Sequence, residues 1–152
     1  MVSNVGIGTG GEKLKLVVPT SFSQKSEMAL DFALVYSQTF NADIYLFHAF
    51  EDKSSNFRHV DRVNEEYMER MRTTVIQAIE RVTAQGVTHT VEDVHRRLSH
   101  GHAWKEILKI TAGITADMII MGAPSTNRFR KLIDKAPCSL VLVKEKDPEF
   151  VA

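Results

Sequence analysis

Short apolar runs alternate with longer amphipathic stretches along most of the chain. The apolar runs, which predict β-strands, are Leu14–Pro19, Asp43–Ala49, Thr90–Leu98, Asp117–Gly122 and Cys138–Val143. The stretches between them repeat apolar residues every three or four positions and predict helices over about 23–39, 60–85, 102–113 and 127–134. Apolar strands that are each followed by a helix predict an α/β protein with one parallel sheet covered on both faces.

Local signals mark the ends of the predicted helices. Ser23 is a typical N-cap, and Glu27 puts a carboxylate in the first turn, where the helix dipole favours it. Asn41 and Gly86 are residue types that typically end helices. The core-facing side of the second helix is predicted to be Val63, Tyr67, Met71, Thr74, Ala78 and Val82; that of the third is predicted to be Trp104, Ile107, Leu108 and Ala112.

The length of 152 residues fits a single domain, predicted over residues 13–144 between a flexible lead, 1–12, and a flexible tail, 145–152. Lys plus Arg equals Asp plus Glu at 19 each, so the composition predicts no binding to nucleic acid or to an anionic membrane surface. No run of about 18 apolar residues and no signal-peptide pattern occurs, so no membrane insertion is expected. One cysteine, Cys138, allows no internal disulfide and predicts a reducing, cytoplasmic location.

In a parallel sheet of this kind, ligands bind beyond the carboxyl ends of the strands, where the strand order reverses. The candidate loops are residues 20–23, 50–59, 99–102 and 123–126. Thr20, Ser21, Ser23 and Ser26 crowd the start of the first helix, where hydroxyls and free amides can hold a phosphate or a carboxylate. Ordinary capping and turn chemistry explains the same residues and is the favoured interpretation.

Four segments resemble the universal stress protein family, and together they extend over most of the chain. They are Val17–Ser23 (VVPTSFS), Leu46–Ala49 (LFHA), Ala116–Gly122 (ADMIIMG) and Ala136–Val143 (APCSLVLV), which are similar to the family's V-P-T-D-F-S, L-L-H-V, A-D-L-I-V-M-G and A-P-C-P-V-L-V-V. The resemblance implies a single-domain, doubly wound, five-stranded parallel sheet of the adenine-nucleotide α-hydrolase-like type. It also implies the strand order 3-2-1-4-5 and a homodimer.

The last strand, Cys138–Val143, independently favours the same homodimer. In the implied order it is an edge strand, with Cys138, Leu140 and Leu142 predicted on one face and Val141 and Val143 on the other. No charge, proline or bulge protects this edge, although edge strands are normally protected against pairing with other chains. Pairing with the same strand of a second copy is therefore predicted, and an unidentified protein partner is also possible.

Many members of the family bind ATP through a Gly, two residues, a Gly, nine residues and a Gly-Ser or Gly-Thr pair after the fourth strand. Here Gly122 matches the first glycine, but the second falls on Ser125 and the pair falls on Lys135 and Ala136. ATP-binding members have an acidic residue after Pro-Thr, and this chain has Ser21 at that position. The sequence therefore predicts a degenerate ATP site that does not bind ATP tightly. It also predicts that the protein has no cofactor. If a nucleotide or anion does bind, the predicted contacts are Pro19, Thr20, Ser21, Met121, Gly122, Ser125, Thr126 and Asn127.

The predicted function is that of a regulatory or stress-response domain and not of an enzyme, because no nucleophile elbow, Walker loop or Cys-His pair is recognisable. One alternative is a nucleotide-binding switch, for ATP or AMP, with a shortened phosphate loop. A slow nucleotide hydrolase is a further alternative, for which no base can be named. His95, His100 and His102 allow a metal site, but solvated surface histidines are the favoured interpretation because no cysteine accompanies them.

Overall fold

The computed structural model describes residues 13–51, 57–125 and 127–144, except the side chains of 57–59 and 128. The predicted lead, the predicted tail and Thr126 lie outside the described residues. The elements are β1 (Leu14–Pro19), α1 (Gln24–Phe40), β2 (Ala42–Phe50), α2 (Phe57–Val82), β3 (Val94–His100), α3 (Ala103–Gly113), β4 (Met118–Gly122), α4 (Arg130–Lys135) and β5 (Ser139–Val143). None of the helices in these ranges combines the length and apolar character that crossing a bilayer requires.

The five strands form one parallel sheet in the order β3-β2-β1-β4-β5, which confirms the predicted topology. β1 lies at the centre, with β2 on one side and β4 on the other. The chain first adds strands on the β2 side and then crosses over to β4, so the strand order reverses between β1 and β4. This is the position where parallel sheets open a cleft at the carboxyl ends of their strands.

The central strand shows how the sheet is buried on both faces. Leu16 and Val18 belong to the apolar cluster under α1 and α2, whereas Val17 belongs to the cluster under α3 and α4. All three side chains are completely buried. Alternate residues of a strand point to opposite faces, so an uninterrupted apolar run is what a sheet covered on both faces needs.

Helix α1 packs closely on the sheet because its buried side is made largely of small residues, Ser26, Ala29, Ala33 and Ser37 among them. The helix is held at both ends as predicted. Ser23 caps the start by accepting a hydrogen bond from the amide of Ser26, and Asn41 ends the helix in the left-handed conformation. The position of α1 is therefore fixed by local capping as well as by packing.

The prediction for the third strand was wrong at its start, since β3 begins at Val94 and not at Thr90. Thr90 and Asp93 exchange side-chain and backbone hydrogen bonds as a capping box, which closes a 3₁₀ turn over Val91–Asp93. This local bonding competes with strand pairing at residues whose alternating pattern is otherwise typical of a strand.

Two helix faces differ from the predicted ones by a single position. On α2, Val75 is fully buried, whereas Thr74 is half-buried and donates its hydroxyl proton to the carbonyl of Arg70. On α3, Thr111 is buried and Ala112 is exposed. Thr111 tolerates burial because its hydroxyl donates to the carbonyl of Ile107 one turn earlier.

Candidate functional site

A cleft of about 450 Å³ opens where β1 and β4 end, at the reversal of strand order. We call it the strand-end cleft. Its volume lies within the range of about 300–1,000 Å³ that is usual for small-molecule sites. Its lining residues are Pro19, Thr20, Ser21, Ser23, Gln24, Lys25, Ser26, Met121, Gly122, Ala123, Pro124, Ser125 and Phe129.

Most of the residues predicted as ligand contacts line this cleft, namely Pro19, Thr20, Ser21, Met121, Gly122 and Ser125. Asn127 does not, because it begins a 3₁₀ turn and lines a separate cavity with Arg130, Ile133 and Asp134. Two lining residues, Lys25 and Pro124, are not among the predicted contacts. The sequence could have indicated Pro124, because a proline has no amide proton to offer a ligand. It could not have indicated Lys25, because the position of Lys25 depends on how α1 packs.

The hydroxyl groups of the cleft are bonded to one another. Thr20 donates to Ser26 at 3.1 Å, Ser21 to Ser23 at 2.9 Å and Ser23 to Ser26 at 3.2 Å. Ser26 in turn donates to the backbone carbonyl of Ser23 at 2.9 Å. Since a hydroxyl has one proton to donate, all four are committed to this network, which also caps α1. Ser23 caps the helix and Thr20 accepts from the amide of Phe22 in the turn, which supports the favoured interpretation of capping and turn chemistry.

The loop after β4 offers few backbone donors to the cleft. The amide of Ala123 donates to the carbonyl of Val143 at 2.9 Å, and Pro124 has no amide proton. Gly122, which matches the first glycine of the family's ATP motif, has another role here. A Cβ on Gly122 would lie 2.8 Å from the backbone carbon and oxygen of Lys25, so the first turn of α1 rests directly on the end of β4.

An aromatic cluster lies at the same end of the sheet, between β2 and α2. The ring of Phe22, a residue with a positive φ of 62°, lies 4.7 Å from the ring of His48 and 6.0 Å from that of Tyr67. The guanidinium of Arg70 covers Phe22 at 4.1 Å. A positive φ is rare for so bulky a residue, and it turns this ring away from the loop into the cluster.

His48 is the polar member of this cluster. Its Nδ1 lies 2.7 Å from the carbonyl oxygen of Thr20, which can only accept, so Nδ1 carries the proton. Its Nε2 is buried without a hydrogen-bond partner among the described residues. Burial lowers the pKa of His48, the positive charge of Arg70 lowers it further, and the bond to Thr20 opposes both. The imidazole is therefore held in its neutral form.

The three histidines considered as metal ligands have different surroundings. His95 stacks on Tyr45 at 4.4 Å, His100 meets the edge of Phe50 at 5.2 Å, and His102 lies 3.6 Å from the carboxylate of Glu51. Within the described ranges, no three or more histidine, cysteine or acidic side chains are arranged to hold a metal ion.

A family comparison agrees with this geometry. The model of the universal stress protein family matches residues 14–144, which include every strand and helix described above. The chain belongs to the universal stress protein family. The resemblance seen in the four sequence segments is thereby confirmed.

Solved universal stress proteins share the fold at low sequence identity. UspA from Lactobacillus plantarum is 18% identical with a TM-score of 0.59, and 88% of this chain and 99% of that chain are covered. A universal stress protein in complex with cAMP is 19% identical with a TM-score of 0.66, covering 88% and 98%. The protein from Archaeoglobus fulgidus in complex with dAMP is 16% identical with a TM-score of 0.59, covering 88% and 98%. A comparison with curated proteins found no match.

Replacing Gly122 by alanine should destabilise this universal stress protein by about 1–3 kcal/mol, because the new methyl group would overlap the backbone of Lys25. Gly113→Ala is the matched control: apart from its chain neighbours and the backbone of its own helix, no atom lies within 4 Å of the Cβ it would gain. Urea unfolding of both variants measures the difference. Equal unfolding midpoints for the two variants would show that α1 does not rest on Gly122.

His48 should make the folded state less stable in mild acid. Its pKa is lowered on folding from the usual 6.5, so below about pH 6.5 the unfolded chain binds a proton that the folded chain does not. The free energy of unfolding should therefore fall as the pH drops below 6.5, and it should fall less in His48→Gln. Urea titrations at pH 7.5 and pH 5.5 test this. The same loss in both proteins would exclude His48 as its source.

Proposed function

We propose that this universal stress protein is a homodimeric regulatory or stress-response module that does not bind ATP tightly. The observation that carries the ATP part is the committed hydroxyl network of Thr20, Ser21, Ser23 and Ser26. A triphosphate needs hydrogen-bond donors aimed at its oxygens. Hydroxyls that already donate to one another would have to give up these hydrogen bonds to serve it.

The rest of the strand-end cleft supports the same conclusion. Ala123 and Pro124 offer no free amide, for the reasons given above. Among the described lining residues, Lys25 is the one that carries a positive charge. One flexible cation against the several negative charges of a triphosphate leaves most of that charge uncompensated, which favours a degenerate site.

We propose that the protein is not an enzyme, although the structure brings a serine, a histidine and an acid together. The Oγ of Ser37 lies 3.1 Å from Nε2 of His89, whose Nδ1 lies 4.0 Å from Asp93. The hydroxyl of Ser37 donates to the carbonyl of Ala42 and is 2% exposed. Ser37 therefore accepts from His89 and has no proton for it to remove, so the group joins α1 to the turn before β3 and does not form a nucleophile with its base.

Nucleotide binding of a weaker kind is the second candidate function. The cleft is large enough for a small molecule, and two structurally similar universal stress proteins are in complex with cAMP and dAMP. A monophosphate needs fewer donors than a triphosphate, and Lys25 with Ser125 could supply them. This alternative is a switch that uses AMP or a similar nucleotide.

The homodimer is supported by the contrast between the two edges of the sheet. The β3 edge carries His95, Arg96, Arg97 and His100, and charged residues discourage pairing with another strand. The β5 edge, Ser139–Val143, carries no charge. Leu142 on this edge is 40% exposed, and contact of its apolar side chain with water is unfavourable. Pairing of β5 with β5 of a second copy would satisfy the free backbone groups of the edge and cover Leu142.

The surroundings of Cys138 support the proposed cytoplasmic location. The thiol is partly buried and packs against the cluster under α3 and α4. Burial raises its pKa, as does the negative charge of Asp117. A thiol that stays protonated is unreactive, so Cys138 is suited to a packing role in a reducing compartment.

Calorimetric titration with Mg-ATP should show a dissociation constant weaker than about 1 mM, or about −4 kcal/mol. Saturation in the low micromolar range would contradict the degenerate site. The same titration with AMP and cAMP separates the two functions, since micromolar binding of a monophosphate without ATP binding would favour the switch. Lys25→Ala should then abolish binding of the monophosphate. The control is Lys109→Ala, which removes an exposed lysine of α3.

Replacing Leu142 by proline should convert the homodimer into a monomer. Val143 directs its carbonyl toward Ala123, so the preceding residue directs its amide outward, to the free edge. Proline removes that amide and leaves the pairing of β5 with β4 in place. Sedimentation equilibrium at micromolar concentration measures the mass, with Ile76→Lys as a control at another exposed apolar residue, also 40% exposed. A wild-type mass of one chain would contradict the dimer.

A further inference from the structure

Three aromatic residues form a continuous stripe along α1, in which a half-buried Tyr36 lies between two exposed phenylalanines. Phe32 and Tyr36 stack at 6.3 Å, and Tyr36 and Phe40 approach to 4.6 Å. Phe32 is 43% exposed and Phe40 is 56% exposed, which places both among the most exposed large apolar side chains of the described residues. We call these three residues the α1 stripe.

The α1 stripe lies on the flank of α1 that faces away from α2. The opposite flank carries Glu27 and Asp31, which bind Arg81 of α2. At 100° per residue, the two flanks are separated by roughly half a turn of the helix. Since α2 covers β3 and α1 contacts β4 and β5, the flank with the stripe faces the β5 edge.

We propose that the α1 stripe packs against the carboxyl end of β5, at Val143, in a second copy of this chain. This inference rests on the proposed homodimer and identifies a second contact in it. A twofold axis that pairs two antiparallel edge strands is perpendicular to the sheet. Both copies therefore present their α1 face on the same side, and Val143 of the second copy points toward that side, because Val143 belongs to the cluster under α1 and α2.

The levels of the elements bring these residues together. Within one chain, Val143 is in register with Gly122, which touches Lys25 at the start of α1. Tyr36 lies about 16 Å further along the helix, near the amino ends of the strands, where α1 leads into β2. In an antiparallel pair, the carboxyl end of the second β5 lies beside the amino end of the first. The carboxyl end of the second copy's β5 therefore reaches the level of the stripe. The carboxyl end of the first copy's own β5 does not.

The size of a stable interface also favours this occupant. A β5 pair of five residues is only about 17 Å long, and alone it covers far less than the 1,200 Å² or so of a typical stable interface. The exposed parts of Phe32 and Phe40 would add about 400 Å² across two copies, at about 200 Å² for a whole aromatic side chain. The stripe is uncharged, which suits it to an apolar partner such as Val143 of the second copy.

Cross-linking tests which surface meets the stripe. Cys138→Ser removes the one thiol of the chain, and Phe32→Cys or Phe40→Cys is then combined with Lys144→Cys. A short bismaleimide should give a covalent dimer on a reducing denaturing gel. Ile76→Cys with Lys144→Cys, which puts a thiol on α2 instead, should give none. Sedimentation of Phe32→Ser/Phe40→Ser should show dimerisation weakened at least tenfold, against less than twofold for Ile76→Ser.

The outcomes separate this inference from the homodimer itself. Covalent dimers from the stripe positions alone, with weakened association of the double serine variant, would support it. A wild-type dimer that Leu142→Pro dissociates, but that keeps its affinity in the serine variant and does not cross-link, would overturn the stripe contact and leave the β5 dimer standing. A wild-type monomer would overturn both.

Discussion

The close packing of α1 on β1 and β4 is the constraint on which the rest of the structure depends. Small residues on the buried side of the helix allow the approach, and Gly122 permits contact with the backbone of Lys25. Interiors are packed too densely to absorb an extra methyl group without a shift. With α1 fixed in this position, its start shapes the strand-end cleft, one flank binds α2 and the other carries the α1 stripe.

The same packing gives residues that line the strand-end cleft a structural role apart from any ligand. The glycine at the end of β4 is needed for contact with α1 whether or not a phosphate binds. Ser23 caps the start of α1, and the hydroxyls of Ser21, Ser23 and Ser26 donate within the same segment. The position of α1 on the sheet therefore depends on residues that also line the cleft.

The aromatic cluster beside the cleft could not be predicted from the sequence. Phe22, His48 and Tyr67 are far apart in the chain and carry no shared motif, and their contact depends on the left-handed backbone of Phe22 and on where α2 crosses β2. The grouping of Ser37, His89 and Asp93 was likewise invisible, because it joins a helix end to a turn. By contrast, the gathering of Pro19, Thr20, Met121 and Gly122 in one cleft followed from strand order alone.

The sequence by itself determined the fold class, the parallel sheet and the helix caps, because hydrophobic periodicity and capping are local properties of the chain. Family resemblance added the strand order. The start of β3 was misjudged because Thr90 and Asp93 form a turn whose hydrogen bonds replace strand pairing. Tertiary structure alone decided how the donors in the cleft are bonded, that Asn127 lies outside the cleft and that Phe32 and Phe40 are exposed. Those properties depend on how close elements from different parts of the chain approach, and no local pattern encodes such distances.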